Sequence, residues 1–508
     1  MKMEMSTSSR SNDEQTKFIK TTTTKTKGMG RRISFSSAGL GMGTFPKEAN
    51  VCEPTINVAL YFETCPSVQA LEEVASKILE YERCSGIPVG TDGKNDWHFQ
   101  QLSDIPVSKL VRTFQASGDE AIHALIEEHV NTDDLRNTMT TNTNTMVERD
   151  GLPWFELVRF VNTGKGKSAV VLRIDHTIGD GVAVVNIFEN VATYADGTLM
   201  KELIPSSMSK KFQKKRSFWA GVVVMFFKLI VSFFRVLTLA ATKFDDDYTF
   251  RRCVQKDMTY SGSRKQIIFP EIPLDFVKSL KNAQEVRGDK TTINDVMFAA
   301  VSQMLHDYSK AHNDPTLQKG AKLQSRVLMP VALPRPAVVN EINRTTSLSN
   351  RWVLLSVDIG VGITGAVERL KTITATTSKL KNSPIALVQN FVQSKVAPLL
   401  PVTVTRQTVY DTFIRHSMVL TNVPGPKKPA EFGGEEVDSC QLFFCNLIPN
   451  FNVLSYSGNI YCCLSIDSDA IPDAESLPAH FINAFLTLAK ELHIDVPKSL
   501  ATSQDGAK

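Results

Sequence analysis

Residues 168–195, SAVVLRIDHTIGDGVAVVNIFENVATYA, constrain the fold more than any other stretch of the sequence. Ser168–His176 is apolar on both faces, as a strand in the middle of a sheet is. After the turn, Val182, Val185, Phe188, Ala192 and Ala195 recur at helical spacing. The stretch reads as strand, tight turn, helix. Leu152–Asn162 reads as a neighbouring strand joined through TGKGK, and Ile56–Glu63 as a further strand. That strand feeds a helix whose Val68, Leu71, Val74, Ala75, Ile78 and Leu79 form one apolar face.

The turn carries His176, Asp180 and Gly181. Imidazole has the side-chain proton affinity nearest neutral pH, so His176 is the candidate general base for a hydroxyl. Asp180, four residues on, is expected to hold the loop by pairing with an arginine or with backbone donors. Gly181 is expected to supply backbone geometry that a side chain would forbid.

The sequence has 508 residues, 42% hydrophobic and 22% charged, enough to bury a large core split over two lobes. A formal net charge of +4 on so long a chain is too balanced for a nucleic-acid binder. It suits an anionic small molecule or a membrane surface. Eight scattered cysteines form no C-x-x-C pair and no zinc spacing, so they are expected to be reduced core residues and no metal is expected. The N-terminus lacks the compact apolar core of a secretory signal. Residues 1–54 are rich in Ser, Thr and Lys and are expected to be disordered; Ser34 follows two arginines, as basophilic kinases accept.

DHTIGDG resembles the HHxxxDG motif of the wax ester synthase/diacylglycerol acyltransferase (WS/DGAT) family. LPWFELVRF before it, TTINDVMFAAVSQML after it, and TNVPGPKKP followed by LSYSGNIYCCLSID resemble the same family in the same order. MPVALPR and LSNRW are weaker matches between them. The resemblance covers about residues 55–495. It implies an α/β fold of two chloramphenicol-acetyltransferase-like lobes, with mixed sheets flanked by helices, enclosing a substrate tunnel. It further implies acyl transfer from acyl-CoA, as cosubstrate without a bound cofactor, to a long-chain alcohol or a diacylglycerol. His176 is carried over as the catalytic residue. Where the family has a first histidine this chain has Asp175, and neighbouring strand residues face opposite ways, so only one of the two reaches a shared tunnel. Plant alcohol acyltransferases with the same H-x-x-x-D-G also carry D-F-G-W-G, where this chain has only EFGG at 431–434.

In TTIND, Thr292 and Asp295 form a capping box by spacing, while family likeness places Asn294 and Asp295 at the active-site wall. NVPGP reads as a rigid turn, with Pro424 and Pro426 fixing φ and Gly425 allowing the bend.

Phe218–Thr242 is strongly apolar, preceded by the basic run KKFQKKR at 210–216 and followed by three aspartates. Its fourteen Val, Ile, Leu and Phe residues favour insertion by about −4 to −8 kcal/mol, while Lys228 and Arg235 each cost about +2.5 to +3.5. The balance near zero describes a helix lying in the membrane interface, its Lys228–Ser232–Arg235 stripe toward phosphate head groups. The competing reading is a helix buried between the lobes. The chain is thus expected to comprise the tail (1–54), an N-terminal acyltransferase lobe (55–205), a membrane-associating segment (206–250), a C-terminal acyltransferase lobe (251–498) and a second tail (499–508). The expected function is wax ester or triacylglycerol synthesis on the cytosolic face of the endoplasmic reticulum or on a lipid droplet. The alternatives are transfer to a sterol or terpenoid alcohol, or a catalytically silent lipid-binding relative.

Overall fold

The computed structural model describes residues 29–502 except 91–96, 133–134, 137–150, 201–217, 255–263, 335–347 and isolated positions between them. The basic run at 210–216 lies outside the described residues. Two large sheets organise the chain.

The N-terminal sheet holds β2 (Thr55–Phe62), β5 (Val111–Ala116), β6 (Phe155–Asn162) and β7 (Ser168–Asp175), and it is completed by β16 (Ser439–Phe443) from far down the chain. The strand order is β16-β2-β7-β6-β5, with only β5 and β6 parallel. All eight residues of β7 are buried, as its two-faced apolar pattern predicts. Its one arginine is accommodated by register. Arg173 stands beside Asn57 on β2 and Glu156 on β6, and its guanidinium bonds both, at 3.2 and 2.8 Å. A buried charge is tolerated when neighbouring strands supply such partners.

On this sheet pack α2 (Val68–Ile78) and α3 (Asp119–Val130), and α4 (Gly181–Val191) packs against α2. The side chain of Ser67 caps α2, whose buried face is Leu71, Val74, Ala75 and Ile78.

The second sheet runs β10 (Ile272–Pro273), β18 (Asn459–Asp467), β17 (Asn450–Tyr456), β13 (Met418–Pro424), β11 (Arg326–Ala332) and β12 (Trp352–Asp358), with β9 (Arg264–Ile268) also on β18. The pairs β11–β13 and β13–β17 are parallel, so this sheet is mixed. Its core is built with α8 (Ile293–Ala311), the helix Ala366–Lys381 and the helix Leu477–Glu491. The mixed sheets flanked by helices are the two-lobed acyltransferase-like α/β fold that the sequence predicts.

Residues 29–54, expected in the disordered tail, include β1 (Met29–Arg32) and α1 (Phe35–Met42). β1 pairs with the strand His98–Gln101, and Ile33, Ala38 and Leu40 are buried. Three small anchoring contacts leave little trace in a composition dominated by Ser and Thr. At the far end, Leu500 in the helix Lys498–Thr502 is also buried.

The apolar segment forms α5 (Phe218–Leu237), followed by a 3₁₀ turn at Leu239–Ala241. No helix among the described residues is long and apolar enough to cross a membrane. α5 exposes Met225, Phe226, Ile230 and Phe234, and also Phe227 and Val231, which line a groove against the C-terminal lobe. Lys228, Ser232 and Arg235 do share one face, but that face borders the same groove. Ser378, Lys379, Asn382 and Ser383 stand across that groove; Lys228 and Arg235 remain exposed, and Ser232 is buried.

Candidate active site

Between the lobes lies a cavity of about 890 Å³. β2 contributes Ile56, Val58 and Leu60, α4 contributes Val184, Val185 and Phe188, and β12 and β13 close it from the other lobe. The walls are mainly apolar; Asn446, Asn450 and Asn452 form a polar patch, with Asn450 Nδ2 donating to Asn452 Oδ1 at 2.7 Å.

His176 lies on this wall immediately after β7. Its ring meets Phe444 and Trp352 edgewise, with centroids 5.4 and 6.2 Å away. Nδ1 is buried and has no hydrogen-bond partner among the described residues, so Nε2 is the nitrogen left for a bound hydroxyl. The backbone around it is held on both sides. The N–H of His176 donates to the Pro54 carbonyl at 2.8 Å, and Asn350 Nδ2 donates to the His176 carbonyl at 2.7 Å.

Asp175 does not line the cavity, although its partner Arg136 does. It is fully buried. Arg136 Nε sits 2.7 Å from Oδ2, while the Thr177 N–H and hydroxyl donate to Oδ1 at 2.8 and 2.6 Å. Arg136 in turn lies over the Trp154 ring, 4.7 Å from its centroid.

Asp180 is the N-cap of α4. Oδ1 accepts from the Ala183 N–H at 3.2 Å and Oδ2 from the Arg351 N–H at 2.9 Å. Backbone donors, one of them from the other lobe, thus take the carboxylate. Gly181 needs space and not unusual torsions: its φ is not positive, and an added Cβ would stand 3.1 Å from Val423 Cγ2 on β13. This corrects the conformational reading of that glycine.

Asn294 and Asp295 separate in role. Asp295 completes the capping box with Thr292 and accepts from Thr377 Oγ1 at 2.6 Å, away from the cavity. Asn294 Oδ1 accepts from Asn422 Nδ2 at 2.5 Å, and Asn422 does line the cavity. NVPGP is not wholly a turn: Asn422–Pro424 ends β13, parallel to β17, and the bend starts at Gly425. There an added Cβ would clash with the Ser455 carbonyl oxygen at 2.3 Å. Pro424 is tolerated because β11 pairs only with Met418 and Val419, so at Pro424 β13 is an edge with a neighbour on one side.

Sequence reasoning missed the frame around the turn. Asn350 also donates to Ser37 Oγ at 2.9 Å, and Arg83 reaches Ser37 and the carbonyls of Thr177 and Ile178, each at 3.2 Å. The faint LSNRW match was the one signal for Asn350. Among cavity residues, burial pushes the Cys440 thiol well up, so it offers no thiolate.

A histidine on the wall of a largely apolar cavity between two α/β lobes defines the class: a two-lobed acyltransferase-like fold. Residues 348–489 match the model of the WS/DGAT C-terminal domain. The chain is similar to wax ester synthase/diacylglycerol acyltransferase 11 of Arabidopsis thaliana, at 23% identity over 349 residues, 62% of this chain and 68% of that protein. Of solved structures, the wax ester synthase/diacylglycerol acyltransferase from Marinobacter aquaeolei VT8 shares the fold with a TM-score of 0.55 at 13% identity, covering 91% of this chain and all (100%) of that one. Trichothecene 15-O-acetyltransferase from Fusarium sporotrichioides follows with a TM-score of 0.54 at 12% identity, covering 90% and 95%. The family recognised in the motifs, that of the wax ester synthase/diacylglycerol acyltransferases, is the one these comparisons return.

Proposed function

We propose that the protein is an acyl-CoA-dependent O-acyltransferase that makes wax esters, triacylglycerol or both, with His176 as general base. The observation that carries this reading is His176 on the wall of the cavity, one ring nitrogen buried and the other left for an incoming hydroxyl. His176 takes the proton as the hydroxyl oxygen attacks the thioester carbonyl. The tetrahedral intermediate then collapses, the C–S bond breaks, and coenzyme A leaves as a thiol with the proton returned from His176. No acyl-enzyme is required, and no bound cofactor. A volume of about 890 Å³ with apolar walls suits long alkyl chains. A neighbour in fold, the starter condensation domain of rhizomide synthetase, was solved in complex with C8-CoA (TM-score 0.53, 11% identity), which supports an acyl-CoA donor.

The cavity mouth supports a lipid acceptor. Val236, Leu237, Leu239 and Ala240, at the end of α5, line the cavity and continue into its exposed outer face. In this reading the protein rests on the cytosolic face of the endoplasmic reticulum or on a lipid droplet through α5.

The test is a membrane-fraction assay with labelled acyl-CoA and a panel of long-chain alcohol, diacylglycerol, sterol and terpenoid alcohol. Wild type should form labelled wax ester or triacylglycerol, and His176→Ala should form neither while retaining its fold by circular dichroism. Product only from sterol or terpenoid alcohol would reassign the acceptor; near wild-type turnover by His176→Ala would remove the mechanism.

A further inference from the structure

Behind α5 is a groove of about 630 Å³, between that helix and the segment 378–385, which joins the end of the helix Ala366–Lys381 to the start of the next. Lys228 and Arg235 enter it from α5, and Lys379 enters from the last turn of the helix Ala366–Lys381. No carboxylate lines it, and none of the three cations has an ion-pair partner among the described residues. Lys228 Nζ reaches only the Asn382 carbonyl, at 3.5 Å, the outer limit of a hydrogen bond. Between the two α5 cations sits Ser232, only 5% exposed, whose hydroxyl has no partner among the described residues. Ser378 and Ser383 add hydroxyls to the opposite wall.

Three like charges converging without a counter-charge repel one another, and an anion in their midst relieves that repulsion. Hydroxyls beside them complete the donor set that phosphate oxygens accept. The same helix exposes Phe226 and Phe234, which do not line the groove, at 60% and 61%, and Phe227 and Val231, which do, at 62% each. A phosphate that carries alkyl chains matches both surfaces at once, whereas a free anion matches only the groove.

We propose that this groove binds the phosphate of an anionic phospholipid head group, its acyl chains running along the bare face of α5. This rests on the reading that α5 lies on a membrane, and it adds a lipid-selective site to what was attachment by one apolar face. The five positive charges of the basic run at 210–216 attract any anionic surface; the groove recognises one head group at contact.

The experiment is flotation of the purified full chain with vesicles of phosphatidylcholine alone and of phosphatidylcholine with phosphatidic acid, read as the ratio of the two affinities. Diffuse attraction from 210–216 is the same in every variant, so it cancels between them. Lys379→Gln should lower the ratio roughly fivefold, the worth of one basic residue at an anionic surface. Ser232→Leu changes no charge but fills the groove, and it should lower the ratio by a similar factor while leaving phosphatidylcholine binding intact or stronger. An unchanged ratio in both variants overturns the site. Binding to neither vesicle removes the membrane reading as well. Saturable binding of inorganic phosphate that Ser232→Leu abolishes, with no preference between vesicles, would assign the groove to a free phosphate and overturn the lipid.

Discussion

Asp180 Oδ2 accepts the backbone N–H of Arg351 at 2.9 Å, so the carboxylate that caps α4 in one lobe also holds the entry to β12 in the other. Asn350, one residue earlier, grips the His176 carbonyl at 2.7 Å. The turn bearing the proposed base is therefore positioned by the lobe across the cavity.

Asp180→Asn tests that coupling. Asparagine has one acceptor oxygen for the two backbone donors, so one bond is lost, at a cost of about 1–2 kcal/mol. Melting temperature and acyl transfer should fall together. Lost activity with unchanged melting would give Asp180 a direct chemical role instead.

Asn350→Ala leaves the His176 carbonyl and Ser37 without this donor in a buried setting. The expected loss is about 1–3 kcal/mol in urea unfolding, with turnover reduced more than acyl-CoA affinity because the base, not the substrate pocket, is released.

Asp175→Ala takes one carboxylate from Arg136, which keeps Glu53 at 3.9 Å and the Leu40 carbonyl at 3.2 Å, and it removes the acceptor of the Thr177 N–H and hydroxyl. Unfolding in urea should show a loss of about 1–3 kcal/mol, that of buried donors left unsatisfied at Thr177, since Arg136 keeps a second carboxylate. Asp175→His, which restores paired histidines, should be destabilised similarly and gain no activity, because position 175 does not line the cavity. A gain in turnover would show that the position takes part in the chemistry.

His416 sets an acid limit. Burial, reinforced by the charge of Arg326, lowers its pKa to about 3. Nδ1 lies 2.6 Å from the Thr412 carbonyl and so donates, while Nε2 accepts from Ser356 Oγ at 2.8 Å. The unfolded chain takes up a proton below its ordinary value of 6.5, which the folded ring refuses until about 3. The stabilisation is complete above pH 6.5 and is lost as pH falls towards 3, by the order of a few kcal/mol. His416→Gln, which keeps one donor and one acceptor, should flatten the stability–pH curve in that window. An unaltered curve would locate the acid sensitivity elsewhere.

Local pattern carried much of this structure. The two-faced apolar run became the fully buried β7, TTIND became a capping box, and HxxxDG became strand, turn and capped helix, because each depends on residues within one or two turns of one another. What escaped depends on distant partners. Gly181 answers to Val423, Asn350 to His176, and Asn422–Pro424 is a strand because β17 lies alongside. The lysine–serine–arginine stripe of α5 is legible as a stripe, but the groove it lines is completed by residues 378–385 of the C-terminal lobe, which no periodicity within α5 encodes.

β16 reaches back to pair with β2, matching Ser439 to Tyr61 and Phe443 to Asn57. As the chain leaves the ribosome, β2 can join β7 early, yet its other edge stays open until residue 443 has been made. At 5–20 residues per second that wait is roughly 20–80 s, during which an apolar strand edge is available to any neighbouring nascent chain. A gene cut between the lobes would leave that edge permanently open, so the two halves are expected to need co-expression, with the second supplied before the first has aggregated.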